Sequence, residues 1–371
     1  MKYRRMPIEI ESPEQMGYGA IRCNLTESSV SDMSLEQFGI NLDLGKLALA
    51  YTDHVGKPAL RELLAAGGQN LNASDVIVTA SAASALFIIS TALLDADSHL
   101  VVMRPNYATN LETPRAIGCK VDYLDLSFED GFRFPIECLS ALLTPQTRLI
   151  SLTNPHNPTG MTLTLPELEA VIALAEAHNC YLLIDETYRE MNYSTPLPLA
   201  ASLSPRCISV SSLSKSFGMP GIRIGWIYTR DKDLQELFLA AKEQIFICNS
   251  IVDEEIAYRV LLKKEQILQP IFINNRRAFE TIKGWMGRQK FMEWVEPRGG
   301  VVCFPRIGMD SGVDVEAFYR ILNGKYATFV GPGHWFEMER RYMRVGYGWP
   351  TARELEDGLA NISAALEEAR G

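Results

Sequence analysis

Between residues 75 and 230 the chain repeats one pattern: a short apolar run, then a stretch with helical spacing or a turn. The runs are DVIVTA (75–80), HLVVMR (99–104), KVDYLDL (120–126), TRLISLTN (147–154), CYLLIDE (180–186), CISVSS (207–212) and IRIGWIYT (222–229). Between them, SAASALFIISTALLD (81–95) and LPELEAVIALAEAHN (165–179) carry apolar residues at helical intervals. Continuous apolar runs suit strands covered on both faces, and strands separated by helices pair in parallel. The pattern predicts an α/β fold, with a mostly parallel seven-stranded sheet flanked by helices. A chain of 371 residues exceeds one core of ordinary size, so a smaller α+β domain is expected beside it. The expected division is 1–45 as an N-terminal lid segment with part of the small domain, 46–250 as the large domain, and 251–371 as the small C-terminal domain. Residues 232–285 look like long helices, and ARELEDGLANISAALEEAR (352–370) is a final amphipathic helix.

Charge and cysteine usage narrow the function classes. The formal net charge of −9 comes without a basic stretch, which argues against nucleic acid or an anionic membrane as partner. The seven cysteines are scattered and form no CxxC pair, which fits a reduced chain without a structural metal. The opening MKYRRMPIEIESPEQ lacks the apolar core of a secretory signal, and no apolar run reaches the length of a membrane span. A cytoplasmic protein is expected.

Four motifs fall at strand ends or just after them, where ligands of such sheets gather. SAASAL follows the first run and opens a helix at Ser81. The free N–H groups of Ala82 and Ala83 would make an anion site there, unless Ser81 simply caps an ordinary helix. In NPHNPTG (154–160) two Asn-Pro pairs fix a turn and leave the Asn157 amide available as a donor, although a plain loop has the same composition. IDETY (184–188) puts Asp185 at the border of core and cleft, where a carboxylate needs a partner. A structural cation would serve, and so would a protonated ring nitrogen, with Tyr188 in reach of the same ligand. Finally, SLSKSFGMPGIRIGW (212–226) surrounds Lys215 with hydroxyls, glycines and Arg223. Hydroxyls and a guanidinium suit a phosphate, and an amine suits covalent chemistry with an aldehyde.

In these motifs the chain resembles, over essentially its whole length, the fold type I pyridoxal-phosphate (PLP) enzymes of the aspartate-aminotransferase superfamily. The resemblance implies that Lys215 is the covalent attachment point for pyridoxal 5'-phosphate and the base beside the substrate's α-carbon. It implies that Ser212, Arg223, Ala82 and Ala83 hold the phosphate, that Asp185 pairs with the ring nitrogen, and that Asn157 and Tyr188 meet the ring hydroxyl. RPNYAT places Tyr107 where the family stacks an aromatic ring on the cofactor. YTDHVGKPALRELL matches the family's dimer segment, in which Tyr51 reaches the phosphate of the neighbouring subunit, so a homodimer with shared sites is implied. GPGHWF and MRVGYG match small-domain motifs, and the second makes Arg344 the clamp for the substrate carboxylate. Ser81 departs from the glycine usual at the phosphate loop.

One scaffold of this kind hosts many reactions. Ordinary aminotransferases of this type carry a Gly-Glu-Pro-like stretch near the start, whereas this chain has IRCNLTESSVSDMSL (21–35). Thr26, Glu27 and Ser28 there, with Glu9 before them, would suit a cationic side chain such as guanidinium. SSVSD, NNRRAFETI (274–282) and EPRGGVVCFPRI (296–307) resemble the PLP-dependent cyclases that turn hydroxylated arginine into capreomycidine or enduracididine. A guanidino-bearing amino acid substrate is therefore expected, with Glu9 first and Glu27 second as its acidic partner, and Thr26 and Ser28 near the hydroxyl-bearing carbon. An aminotransferase using a 2-oxo acid is the alternative. A non-catalytic PLP-binding regulator is a remoter one, because the chain has no room for a DNA-binding domain and no basic face.

Overall fold

The computed structural model describes residues 1–370. Its strands in chain order are β1 (Cys23–Leu25), β2 (Val76–Thr79), β3 (His99–Arg104), β4 (Lys120–Asp125), β5 (Thr147–Thr153), β6 (Tyr181–Asp185), β7 (Cys207–Ser212), β8 (Gly225–Thr229), β9 (Met292–Glu293), β10 (Val302–Cys303), β11 (Arg306–Ile307), β12 (Thr328–Pro332) and β13 (Met343–Gly346). Seven form the large sheet, in the order β2-β8-β7-β6-β5-β3-β4. Neighbours from β7 through to β4 pair in parallel, and β8 runs antiparallel to both β7 and β2. Each of the seven apolar runs supplies one strand of this fold type I sheet. β8 begins three residues later than its run, because Ile224 N donates to Ile222 O and Ile224 O accepts from Leu213 N in the preceding loop.

Side-chain alternation explains why the runs are apolar throughout. Leu100 and Val102 of β3 enter a core shared with the helix Ala82–Leu93, while Val101 and Met103 enter the opposite core beneath the helix Leu165–Ala177. Both faces of the strand are covered, so neither can be polar. The edge strand β4 leaves Lys120 and Asp125 exposed, which keeps a free edge from pairing with another chain.

A second sheet, β1-β12-β13-β10, makes the smaller body. Its core joins Leu25, Val345 and Leu359 to Phe279, Ile282 and Trp285 from the far half of the helix Lys264–Met286. The near half of that helix places Ile267, Leu268 and Ile271 in a core with Val76, Val78 and Trp226 of the large body. The helix Ile251–Leu261 also packs there, through Ile256, Ala257 and Val260. Packing thus puts the change of body inside the helix Lys264–Met286 and not at residue 251. Apolar spacing tells that a helix has a buried face, not which core receives it. Among the described residues, no helix is long and apolar enough to cross a membrane.

The N-terminal segment departs from expectation. β1 pairs in parallel with β12, and the chain then crosses to the large body, where Val30 N donates to Lys215 O (3.0 Å) and Met33 N to Gly218 O (2.9 Å). A side chain at Gly218 would meet Ser31 O at 2.1 Å, and one at Gly346 would meet Glu27 O at 1.9 Å. Thr26, Ser28, Ser29 and Val30 are buried. Residues 26–33 are a fixed wall of the cleft, tied by backbone bonds to the large body, and not the mobile segment expected there. Their polar composition resembled that of a solvated segment, but the polar groups are buried with partners supplied by distant parts of the chain.

Candidate active site

The parallel strands β6 and β7 end at Asp185 and Ser212, and Lys215 follows three residues later. Lys215 Nζ donates to Ser28 Oγ over 3.3 Å. Burial and the Arg344 guanidinium lower the pKa of this amine, opposed by Glu27 and Glu14. A lowered pKa raises the fraction of neutral amine, the form that attacks carbonyl carbon and accepts protons.

Asp185 is buried, and its Oδ1 accepts from Thr187 N (3.0 Å) and Thr187 Oγ1 (2.5 Å). Burial raises its pKa, against those two bonds from Thr187. Both donors use Oδ1, so Oδ2 is left for a ligand. A buried carboxylate with a spare oxygen fits a protonated ring nitrogen, which would restore the charged form.

The anion cradle has a steric basis. Ser81 Oγ accepts from Ser84 N (3.0 Å) and so caps the helix from within, while the amides of Ala82 and Ala83 have no protein acceptor. Ser212 pairs with Gly225 across β7 and β8, and a side chain at Gly225 would lie 2.4 Å from Ser81 C and 2.5 Å from Ala82 N. Only glycine lets the strand pass the loop, with Ser212 its partner on the neighbouring strand. The departure at Ser81 therefore leaves the cradle intact. Arg223 is exposed, and its Nη1 donates to Pro220 O (2.7 Å), not to a group of the cradle.

Arg344 stands on β13, 4% exposed. Its Nη2 donates to Thr26 O (2.6 Å) and its Nη1 to Asn157 Oδ1 (3.1 Å), while Nε is buried without an acceptor. The guanidinium also lies 5.0 Å from the Phe336 ring centroid. Both hydrogen-bond acceptors are neutral, and Glu27 and Glu14 act on the guanidinium charge without bonding it, which leaves Nε open to a ligand carboxylate. Asn157 spends its oxygen on Arg344 and keeps its NH2 free to donate. Tyr188 donates its hydroxyl proton to Ser28 O (2.8 Å), and burial pushes its pKa up.

A cavity of about 440 Å³ contains Lys215, Arg344 and Tyr107 together with Glu9, Glu14 and Glu27. Tyr107 caps the helix Ala108–Ile117 just beyond β3. The acidic residues differ in what is left of them. Glu9 is exposed, and its Oε2 accepts from Met6 N (2.9 Å), capping its own short helix Pro7–Ile10. Glu27 accepts from Asn24 Nδ2 (3.2 Å), and burial and then Glu14 raise its pKa, opposed by Lys215. A second carboxylate beside Glu27 favours a bound cation there. Glu9 and Glu27 thus each accept one hydrogen bond within their own segment, and Glu27 is the less exposed of the two. Thr26 lends its backbone oxygen to Arg344, whereas its hydroxyl donates to Asn24 Oδ1 (2.7 Å). Ser28 touches Lys215 directly.

Glu14 escaped the sequence reading. Ser12-Pro13-Glu14 is a helix-start signature, with Pro at the first helical position, and it marks the helix Pro13–Met16. Nothing local reveals that this helix faces the cleft. Trp335 was missed likewise; its Nε1 donates to Glu11 Oε2 (2.7 Å), joining the first residues to the small body. Tyr51 lies outside the cavity of its own chain and is 82% exposed.

This sheet order, with an amine, a buried carboxylate and an anion cradle at adjoining strand ends, defines a fold type I pyridoxal-phosphate enzyme. Residues 35–362 match the family described as aminotransferase class I and II, and the chain belongs to that family, whose enzymes depend on PLP. The chain is 36% identical over 185 residues to the arginine–pyruvate transaminase of Pseudomonas aeruginosa, a match spanning 48% of this chain and 47% of that relative. It is 28% identical over 333 residues to the capreomycidine synthase of Streptomyces vinaceus, covering 89% of this chain and 84% of the synthase. Among solved structures, a PLP-dependent aminotransferase from Streptococcus suis superposes with a TM-score of 0.92 over 100% of both chains at 24% identity, a likeness of fold.

Proposed function

We propose that the enzyme acts on a hydroxylated arginine, expels the side-chain hydroxyl as water and closes the guanidine into a cyclic amino acid of capreomycidine or enduracididine type, a reaction of specialised metabolism. The observation that carries the reading is one cavity lined by a guanidinium, Arg344, whose Nε lacks an acceptor, and by the neighbouring carboxylates Glu14 and Glu27. These opposite charges suit a substrate with a carboxylate at one end and a guanidinium at the other. Likeness to a capreomycidine synthase over most of both chains supports the cyclase reading.

In this reading Ser212, Arg223 and the amides of Ala82 and Ala83 hold the cofactor phosphate, and Tyr107 covers the ring. Asp185 holds the ring nitrogen protonated, and the free NH2 of Asn157 donates to the ring hydroxyl, with Tyr188 bracing the wall beside it. Bound PLP supplies the electron sink that acidifies the substrate's Cα–H. Lys215, its amine freed by the incoming substrate, takes that proton and returns one later. Arg344 fixes the α-carboxylate. Glu27 and Glu14 orient the guanidinium, and Ser28 and the Thr26 backbone line the path of the departing hydroxyl. One C–O bond breaks, one C–N bond forms and water leaves, so the sum needs no oxidant. The enzyme works as a homodimer in which Tyr51 meets the cofactor phosphate of the partner subunit.

The likeness to an arginine–pyruvate transaminase favours a second reading, transfer of the amino group to a 2-oxo acid. The test is incubation of the holoenzyme with hydroxyarginines, with and without pyruvate, followed by mass spectrometry. The proposal expects loss of water with all nitrogen retained, independent of pyruvate. Alanine formed at the expense of the substrate's amino group would establish transamination instead.

A further inference from the structure

The segment before the helix Pro58–Ala65 has two parts that differ sharply. Among the described residues, no backbone group of residues 47–52 makes a hydrogen bond to other backbone, and Leu49 and Tyr51 are each 82% exposed. Residues 53–57, in contrast, are tied at nearly every position. Val78 N donates to Val55 O (2.9 Å), Gly56 N to Asp53 O (2.8 Å), and Lys57 N to Glu254 Oε1 (3.2 Å). Lys242 Nζ donates to His54 O. Gly56 has φ +110, and a side chain there would lie 2.3 Å from Val78 Cγ2 and 3.2 Å from Glu254 Oε1.

Lys242 and Glu254 are both 0% exposed, on two separate helices, Lys232–Phe246 and Ile251–Leu261. Burying either charge is costly. Each is spent on a backbone group of the same short turn, and the turn lies two to six residues after Tyr51. An arm that only needed anchoring could use apolar contacts. Two buried charges holding one carbonyl and one amide fix the orientation of the peptide planes, which apolar packing does not.

We infer that Lys242 and Glu254 are positioning residues that set the direction of the exposed Tyr51 arm, and through it the cofactor phosphate site of the partner subunit. This rests on the proposed role of Tyr51. Burial lowers the Lys242 pKa to about 8, opposed first by the negative charge of Glu254, so the clamp carries its cation at neutral pH.

The test is a double-mutant cycle on the full chain, titrating cofactor-free enzyme with PLP and following the absorbance of the bound cofactor. Lys242→Met and Tyr51→Phe are each expected to raise the dissociation constant about tenfold. The double variant should be no weaker than the worse single one, because both act through the same contact. Activity should recover at saturating PLP. Amides of residues 53–57 should exchange faster in Lys242→Met but not in Tyr51→Phe. Should Lys242→Met fail to fold, Glu254→Gln, which keeps shape and acceptor, is expected to show the same pattern at about threefold. If Tyr51→Phe binds PLP like the parent, the Tyr51 reading falls and takes this inference with it. If Tyr51→Phe weakens binding while the clamp variants bind normally, or if the losses multiply to about a hundredfold, the clamp alone is overturned.

Discussion

The wall of the cleft that carries Lys215 and the wall that carries Glu9 and Glu14 are held by different forces. Asp185 and Ser212 end adjacent strands whose ladders fix the backbone on both sides, and Lys215 follows at once. Glu9 and Glu14 ride on helices of four residues each, Pro7–Ile10 and Pro13–Met16, too short to be stable without their caps and neighbours. The chemistry shared by a family sits on the rigid wall. The groups that would choose a substrate sit on the wall that can change without disturbing a sheet.

That comparison breaks most severely at Lys215. Lys215→Ala should lower turnover by a factor of roughly 10³ or more, through loss of the proton-transferring amine. Borohydride treatment should fix the cofactor on the 212–226 stretch in the parent and not in the variant; label on another lysine would move the site. Arg344→Lys comes next. Lysine cannot reproduce a two-pronged bond, so kcat/KM should fall about a hundredfold with PLP still bound. Unchanged kinetics would remove Arg344 from the substrate end.

The carboxylates facing Lys215 across the cleft should give smaller effects that depend on pH. Glu27→Gln should weaken a guanidino substrate about tenfold while leaving a neutral amino acid unaffected, and Glu9→Gln should do less. Burial and Glu14 raise the Glu27 pKa, and guanidinium needs the ionised form. Substrate affinity is therefore present above that raised pKa and lost as pH falls through it. A flat KM profile for the parent would exclude Glu27. The last effect is on folding and not on catalysis, and concerns the rigid wall. Glu186 is 4% exposed, with Oε2 lacking a donor, and burial raises its pKa from the ordinary 4.5 to about 7. The neutral form folds better, so the parent loses stability as pH rises from the unfolded value through 7. Glu186→Gln should gain about 3 kcal/mol relative to the parent at pH 8 and nothing at pH 4, read as a thermal midpoint a few degrees higher. An equal shift at both pH values would refute the cause.

The rigid wall was legible because its residues are placed by local pattern. The run CYLLIDE shows both the strand and the place where it ends, so Asp185 at a strand end follows from sequence alone. Ser212 and Lys215 follow in the same way. The residues facing Lys215 across the cleft were not legible, because their placement is a tertiary fact. Thr26 and Ser28 looked solvated yet are buried, since their partners Arg344, Tyr188 and Lys215 come from between 160 and 318 residues away. Glu14 was invisible for the same reason, and Glu9 looked available because a helix-capping bond cannot be told from a spare carboxylate by composition.

The pairing of β1 with β12 also has a consequence in time. Cys23 lies opposite Thr328, so the strand made first by the ribosome waits for a partner made some three hundred residues later. At roughly 5–20 residues per second, that wait is on the order of 15–60 s. Residues 26–33 and Arg344 come together only after it ends. A nascent chain can complete the sheet that bears Lys215 long before the pocket around it exists, so the reactive amine matures before the room that will confine its chemistry.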